Sequence, residues 1–214
     1  MFDRFCAIIV ATVFSTVIGS SAATASEVTP GQALFVEKGC PACHGEDGRQ
    51  SVDAIPILAG QKGEYLFKQM KDVADGRRVS GPDASGEPRT KAMKDVMGPV
   101  SEADMKVIAG WLATVPPPPV RDGVDAAAEG AVLYDEFGCI GCHGADGLKP
   151  LSDYPILAGQ TKEYLALQLK EIRDDVRTNG RARLMIGFAR PLTDAQAERI
   201  AEYLTQVDRS AATR

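Results

Sequence analysis

The stretch Cys40-Pro41-Ala42-Cys43-His44-Gly45-Glu46-Asp47-Gly48 returns 99 residues later as Cys139-Ile140-Gly141-Cys142-His143-Gly144-Ala145-Asp146-Gly147. Two thiols separated by two residues on one helical turn can each add to a vinyl group of haem, and the adjacent imidazole then falls on the iron. Each copy predicts two thioether bonds and one axial ligand. The chain is therefore expected to carry two covalently bound haem c groups, on Cys40, Cys43 and His44 and on Cys139, Cys142 and His143.

Counting narrows the chemistry further. The chain has two histidines, both inside these motifs, and five cysteines, of which Cys6 alone lies outside them. Bis-histidine ligation of either iron is excluded, and no imidazole is left for a zinc site, a general base or a peroxide-cleaving pocket. A zinc ribbon would set its Cys pairs roughly 15–20 residues apart, not 99. A thioredoxin-like redox pair would sit beside a βαβ pattern, which is missing.

Residues 5–26 carry no charge, follow Arg4 and end in Ala23-Thr24-Ala25, the pattern of a secretory signal peptide cleaved after Ala25. The same 22 residues are long enough to serve instead as a retained anchor helix. Either way the haem-bearing part faces the far side of the membrane, and a periplasmic location is expected. Residues 26–115 hold 11 basic and 13 acidic side chains, and residues 120–214 hold 12 and 15. With no basic stripe to displace phosphate counterions, nucleic acid is excluded as a partner. A mildly acidic surface suits a basic docking patch on a partner, or simply solubility.

The two halves agree well beyond the cysteines. Ile55-Pro56-Ile57-Leu58-Ala59-Gly60-Gln61 matches Tyr154-Pro155-Ile156-Leu157-Ala158-Gly159-Gln160, and Tyr65, Leu66 and Gln69 match Tyr164, Leu165 and Gln168 at the same offset of 99. The offset then falls to 92, which places a seven-residue insertion within Val79–Thr90, a Gly-, Pro- and Ser-containing loop. The chain is thus a duplicated small domain. Expected boundaries are 1–25 for the leader, 26–115 for the first lobe, 116–124 for a proline-rich linker and 125–214 for the second lobe. Each lobe opens with a helix, capped by Thr29 with Pro30 at its first position in one case and by Asp125 in the other. Middle helices are expected near 62–75 and 161–175. Closing helices follow Ser101-x-x-Asp104 and Thr193-x-x-Gln196. Pro116–Pro119 predicts a stiff polyproline spacer. No segment alternates with period two, so the fold class is all-α, two tandem haem-wrapping lobes in a pseudo-twofold arrangement.

With histidine exhausted, the sixth position is left to Met, Lys, Tyr, a solvent molecule or nothing, and position points to the methionines of the loop ahead of each closing helix. Met185, the only methionine after the second motif, stands seven residues before Leu192, and Met93 stands seven before the equivalent Val100. Met70 and Met105 read as core filler. Met97 stays open as a rival to Met93, because ligand loops tolerate slippage.

The paired CxxCHGxDG strings, each followed by Pro-x-Leu-Ala-Gly-Gln-x-x-x-Tyr-Leu and by a Met before a capped final helix, resemble the dihaem cytochrome c4 family of class I cytochromes. The resemblance spans about Pro30 to Gln206. It implies His44 and His143 as proximal ligands, Met93 and Met185 as distal ones, and the carbonyls of Pro56 and Pro155 as acceptors for the imidazole Nδ1–H. It also implies a non-enzymatic, freely diffusing or loosely membrane-associated electron carrier between a quinol-oxidising complex and a terminal oxidase. A second reading is the haem subunit of a periplasmic dehydrogenase complex, of the flavocytochrome sulfide dehydrogenase or alcohol/aldehyde dehydrogenase type. A dihaem peroxidase or gas sensor fits less well, because a third histidine is missing.

Overall fold

Thr29, in extended conformation, accepts a hydrogen bond from the Gln32 backbone N–H and starts α1 (Pro30–Glu37) with Pro30 in the first turn. The computed structural model describes residues 28–50, 52, 54–120, 127–151 and 153–213. The proposed leader at 1–25, the Asp125 cap and linker residues 121–124 lie outside the described residues.

In the first lobe α1 is followed by α2 (Pro41–His44), α3 (Gly63–Ala74), α4 (Lys91–Met97) and α5 (Glu102–Thr114). In the second lobe α6 (Ala127–Glu136), α7 (Ile140–His143), α8 (Lys162–Arg173), α9 (Ala182–Ala189) and α10 (Asp194–Thr205) repeat that order. Among the described residues the fold is all-α, as the sequence predicts, and the only pairing of extended backbone is an isolated bridge between Pro82 and Pro88 in the insertion. Ser101 and Thr193 cap α5 and α10, and Thr193 with Gln196 completes a reciprocal capping box.

Each closing helix is the centre of its lobe, with the opening and middle helices packed on it. In the first lobe Phe35, Leu66, Met70, Val73, Met97, Ile108 and Leu112 form one buried cluster. In the second, Leu133, Tyr134, Leu165, Ile172, Ile200 and Leu204 form another. Met70 and Met105 are buried in the first cluster, as core filler would be. Glycine lets the helices cross closely: a Cβ on Gly31 would lie 2.2 Å from Trp111 Cβ, and one on Gly130 would lie 2.2 Å from the Arg199 carbonyl oxygen.

One expectation is corrected. The segments carrying Met93 and Met185 are short helices, α4 and α9, rather than loops. Met93 and Met97 lie one turn apart on α4 and face the core, and Val100 joins the same cluster just beyond the helix end.

The lobes face each other about the paired Ile-Leu-Ala-Gly-Gln strings. Gln61 Nε2 donates to the Ile156 carbonyl at 2.8 Å while its Oε1 accepts from the Ile156 N–H at 2.9 Å. Gln160 does the same in reverse with Ile57, at 2.9 Å for both bonds. Behind them the guanidinium of Arg209, fully buried, donates to the carbonyls of Ala158 (2.7 Å) and Ala59 (3.0 Å), which are equivalent positions of the two lobes. The insertion straps across the same seam, where the Gly81 N–H donates to Glu171 of the second lobe at 2.8 Å. At the edge, buried Asp153 lies 2.7 Å from Lys68 of the first lobe and 2.5 Å from Arg181.

Gly130→Ala should destabilise the protein by roughly 1–3 kcal/mol through the forced shift of α6 from α10. Gly110→Ala, whose new methyl meets open space on α5, should stabilise by about 0.5–1 kcal/mol. Urea unfolding of the two variants measures this contrast. A second expectation concerns acid. The hydrogen-bonded Lys68 ammonium holds the Asp153 carboxyl down to about 2, below the unfolded value of about 3.9. Its contribution is therefore complete above about pH 4 and is lost as pH falls toward 2. The thermal midpoint of Asp153→Asn should lie below wild type at pH 6, with the gap narrowing steadily as pH falls from about 4 toward 2.

Candidate functional site

Each CxxCH sequence folds as a single helical turn. The His44 N–H donates to the Cys40 carbonyl at 3.1 Å and the His143 N–H to that of Cys139 at 3.0 Å, which places the second cysteine and the histidine three and four residues on, along one face. Gly45 and Gly144 then end the turn with φ of 73° and 74°. The second glycine of each string is a close-approach position, since a Cβ on Gly48 would strike Leu112 and one on Gly147 would strike Leu157 and Leu204. Burial pushes the thiols of Cys40 and Cys139 up to about 11, so both are neutral thiols at physiological pH.

The histidines are buried, and their rings are pinned. His44 Nδ1 lies 3.0 Å from the Pro56 carbonyl oxygen and His143 Nδ1 3.1 Å from that of Pro155. With Nδ1–H donating, Nε2 is left as the free lone pair. His143 Nε2 is buried with no hydrogen-bond partner, an orphaned acceptor that a metal ion would satisfy. Burial also lowers the pKa of both imidazoles, which favours the neutral form a metal requires.

The carbonyls that aim these rings are themselves held. Gly48 O accepts from the Leu58 and Ala59 N–H groups, and Gly147 O from those of Leu157 and Ala158. The Gly60 N–H donates to Leu112 O at 3.0 Å and the Gly159 N–H to Leu204 O at 2.8 Å. Each Pro-Ile-Leu-Ala-Gly loop is thereby fastened both to the haem motif and to the closing helix.

A cavity of about 460 Å³ opens beside His143, bounded by Cys139, Cys142, Leu165, Met185 and Leu204, and it reaches across the seam to Tyr65, Gln69 and Arg78. Met185 is half-buried on its wall. Met93, its register partner, is half-buried at the edge of the first core, whereas Met97 is fully buried inside that core. The position equivalent to Met97 in the second lobe is Ala189, also buried.

The seam end of the cavity carries a polar cluster that the sequence reading missed. Arg78 donates to Gln69, Tyr164 and Gln168, and Arg177 donates to Gln168, Tyr65 and Gln69, so each guanidinium reaches into the opposite lobe. Arg78 and Arg177 share the offset of 99, the one signal that could have singled them out. Among the described residues no group of three or more His, Cys, Asp or Glu side chains is arranged to hold a bare metal ion.

The Cytochrome c family profile matches this chain twice, at residues 28–116 and 127–208. The cytochrome c4 of Azotobacter vinelandii is 32% identical over 175 residues, covering 77% of this chain and 82% of the relative. The chain belongs to the dihaem cytochrome c4 family. A protein called thiosulfate dehydrogenase electron acceptor, from Stutzerimonas stutzeri strain A1501, is 30% identical over 200 residues, 85% of this chain and 88% of that one. The crystal structure of reduced recombinant cytochrome c4 from Pseudomonas stutzeri superposes with a TM-score of 0.71 at 30% identity, over 86% of this chain and all of the other.

Membership brings two covalent haem c groups and an electron-transfer role, and the residues present fit both. Paired thiols, a neutral imidazole and a carbonyl behind its Nδ1 recur in each lobe, and His143 Nε2 is unpartnered. Pyridine haemochrome assay should therefore give two haems per chain, resistant to acid acetone. Replacing Cys139 and Cys142 together by Ala should leave one.

Proposed function

We propose that the chain is a periplasmic single-electron carrier between a quinol-oxidising complex and a terminal oxidase, with Met93 and Met185 as the sixth ligands opposite His44 and His143. The observation that carries this reading is the symmetric pair of carbonyl-pinned histidines joined through one seam, which makes two like redox sites in one rigid unit. Bound haem supplies a one-electron couple at each iron. The chain's own residues do the rest: His44 and His143 present Nε2 in a fixed orientation, and Pro56 and Pro155 hold the Nδ1–H.

Met185 is supported as a ligand by its place on the wall of the His143 cavity. Met93 is supported by shared register on the equivalent helix, while the site of Met97 is a core position, because its counterpart is an alanine that offers no donor atom. With Met93 and Met185 as second ligands each iron would have no open position, and the chain has no histidine beyond His44 and His143 for acid-base work, which supports a carrier that turns over no substrate of its own. Export rests on the uncharged leader ending in Ala23-Thr24-Ala25.

The relative called a thiosulfate dehydrogenase electron acceptor supports a second reading, in which a periplasmic dehydrogenase is the donor. Both readings need the same haem geometry and differ in the partner. Met185→Ala and Met93→Ala should each open one iron to carbon monoxide and lower its potential, with Met97→Ala leaving both irons six-coordinate. Stopped-flow reduction by a quinol-oxidising complex, followed by oxidase-driven re-oxidation, should go to completion with hydrogen peroxide inert. Faster reduction by a dehydrogenase than by the quinol-side complex would favour the second reading, and peroxide turnover by the pure chain would refute both.

A further inference from the structure

Resting on two six-coordinate His/Met haems as proposed above, we propose that the seam glutamines are positioning residues that tune the haem of the opposite lobe: Gln160 the first haem, and Gln61 the second. The Pro56 carbonyl that accepts from His44 and the Ile57 N–H are the two ends of one peptide group. That N–H donates to Gln160 Oε1 at 2.9 Å. The Pro155 carbonyl that accepts from His143 shares its peptide with the Ile156 N–H, which donates to Gln61 Oε1 at 2.9 Å. Each proximal imidazole is thus two hydrogen bonds and one conjugated amide away from a side chain of the other lobe.

An amide whose N–H is engaged becomes a stronger acceptor at its oxygen, since hydrogen bonds in a chain polarise one another, by perhaps 10–30% per bond. A stronger acceptor at Nδ1–H makes the imidazole a more basic ligand, which favours the ferric state and lowers the potential. Both glutamines are almost fully buried, so water does not replace them: Gln61 is 5% exposed and Gln160 4%. Each Oε1 is further fixed by the next residue's N–H, from Lys62 at 2.9 Å and from Thr161 at 3.0 Å. The amide planes are therefore set before either haem changes charge.

The crossing gives the test its sign. Gln160→Leu should raise the potential of the first haem and shift the internal equilibrium for one shared electron toward it by about threefold, the size expected for losing one cooperative bond. Gln61→Leu should shift it by a similar factor toward the second haem. The double variant should return close to wild type. Haem-resolved NMR redox titration of the full two-haem protein reads this ratio, and the ring Nδ1–H resonance reports the cause. That resonance should move for His44 in Gln160→Leu and for His143 in Gln61→Leu. Gln160→Glu keeps the acceptor oxygens with added charge and should push the ratio the opposite way from Leu, even if the Leu variant fails to fold. Shifts of the same sense in both single variants, reversed signs, or an unchanged ratio would overturn the proposal, and a purely structural role would leave the ratio unchanged. Failure of the underlying reading looks different: a missing haem or a five-coordinate iron in the wild-type protein.

Discussion

The orientation of two rings governs this molecule. Hydrogen bonds of 3.0 and 3.1 Å from His44 and His143 to the carbonyls of Pro56 and Pro155 decide which ring nitrogen is left for a metal and where it points. A ligand free to rotate would add reorganisation to every electron transfer. Most of the surrounding architecture serves to keep those carbonyls still. The glycine carbonyl of each haem motif, the last turn of each closing helix and the opposite lobe's glutamine all hold the loops that carry them.

Duplication turns this local device into a joint one. A single lobe would leave the N–H groups of Ile57 or Ile156 and the amide of its glutamine facing water. Docked lobes satisfy all of them inside a buried seam, where each bond is worth more and each omission costs more. The polar cluster of Arg78, Arg177 and their tyrosine and glutamine partners follows the same rule. Arg177 is buried and Arg78 half-buried, and their donors are met by tyrosine and glutamine oxygens of both lobes.

Much of this was legible in the sequence, and for a physical reason. Covalent chemistry, capping and left-handed turns each demand a residue type at a fixed local spacing, so Cys40, Cys43, His44, Ser101, Thr193 and their counterparts announce themselves. The helices α4 and α9 did not, because neither Thr90 nor Arg181 makes a side-chain cap bond that would mark a start. The targets of Gln61 and Gln160 were equally silent. They lie 95 and 103 residues away, and no local pattern encodes a partner chosen by the docking of two folded units. The repeat of the glutamines was visible, but their reason was not.

Arg209 closes the seam from a position that follows both closing helices in chain order. A chain emerging from its amino end completes the first lobe, then the second, and only afterwards can deliver the guanidinium that bridges Ala59 and Ala158. Neither lobe alone presents both carbonyls, so the bridge belongs to the docked pair and to neither half. A guanidinium that bonds equivalent carbonyls of both halves thus acts as a reporter of their registration, satisfied only when the two loops lie side by side.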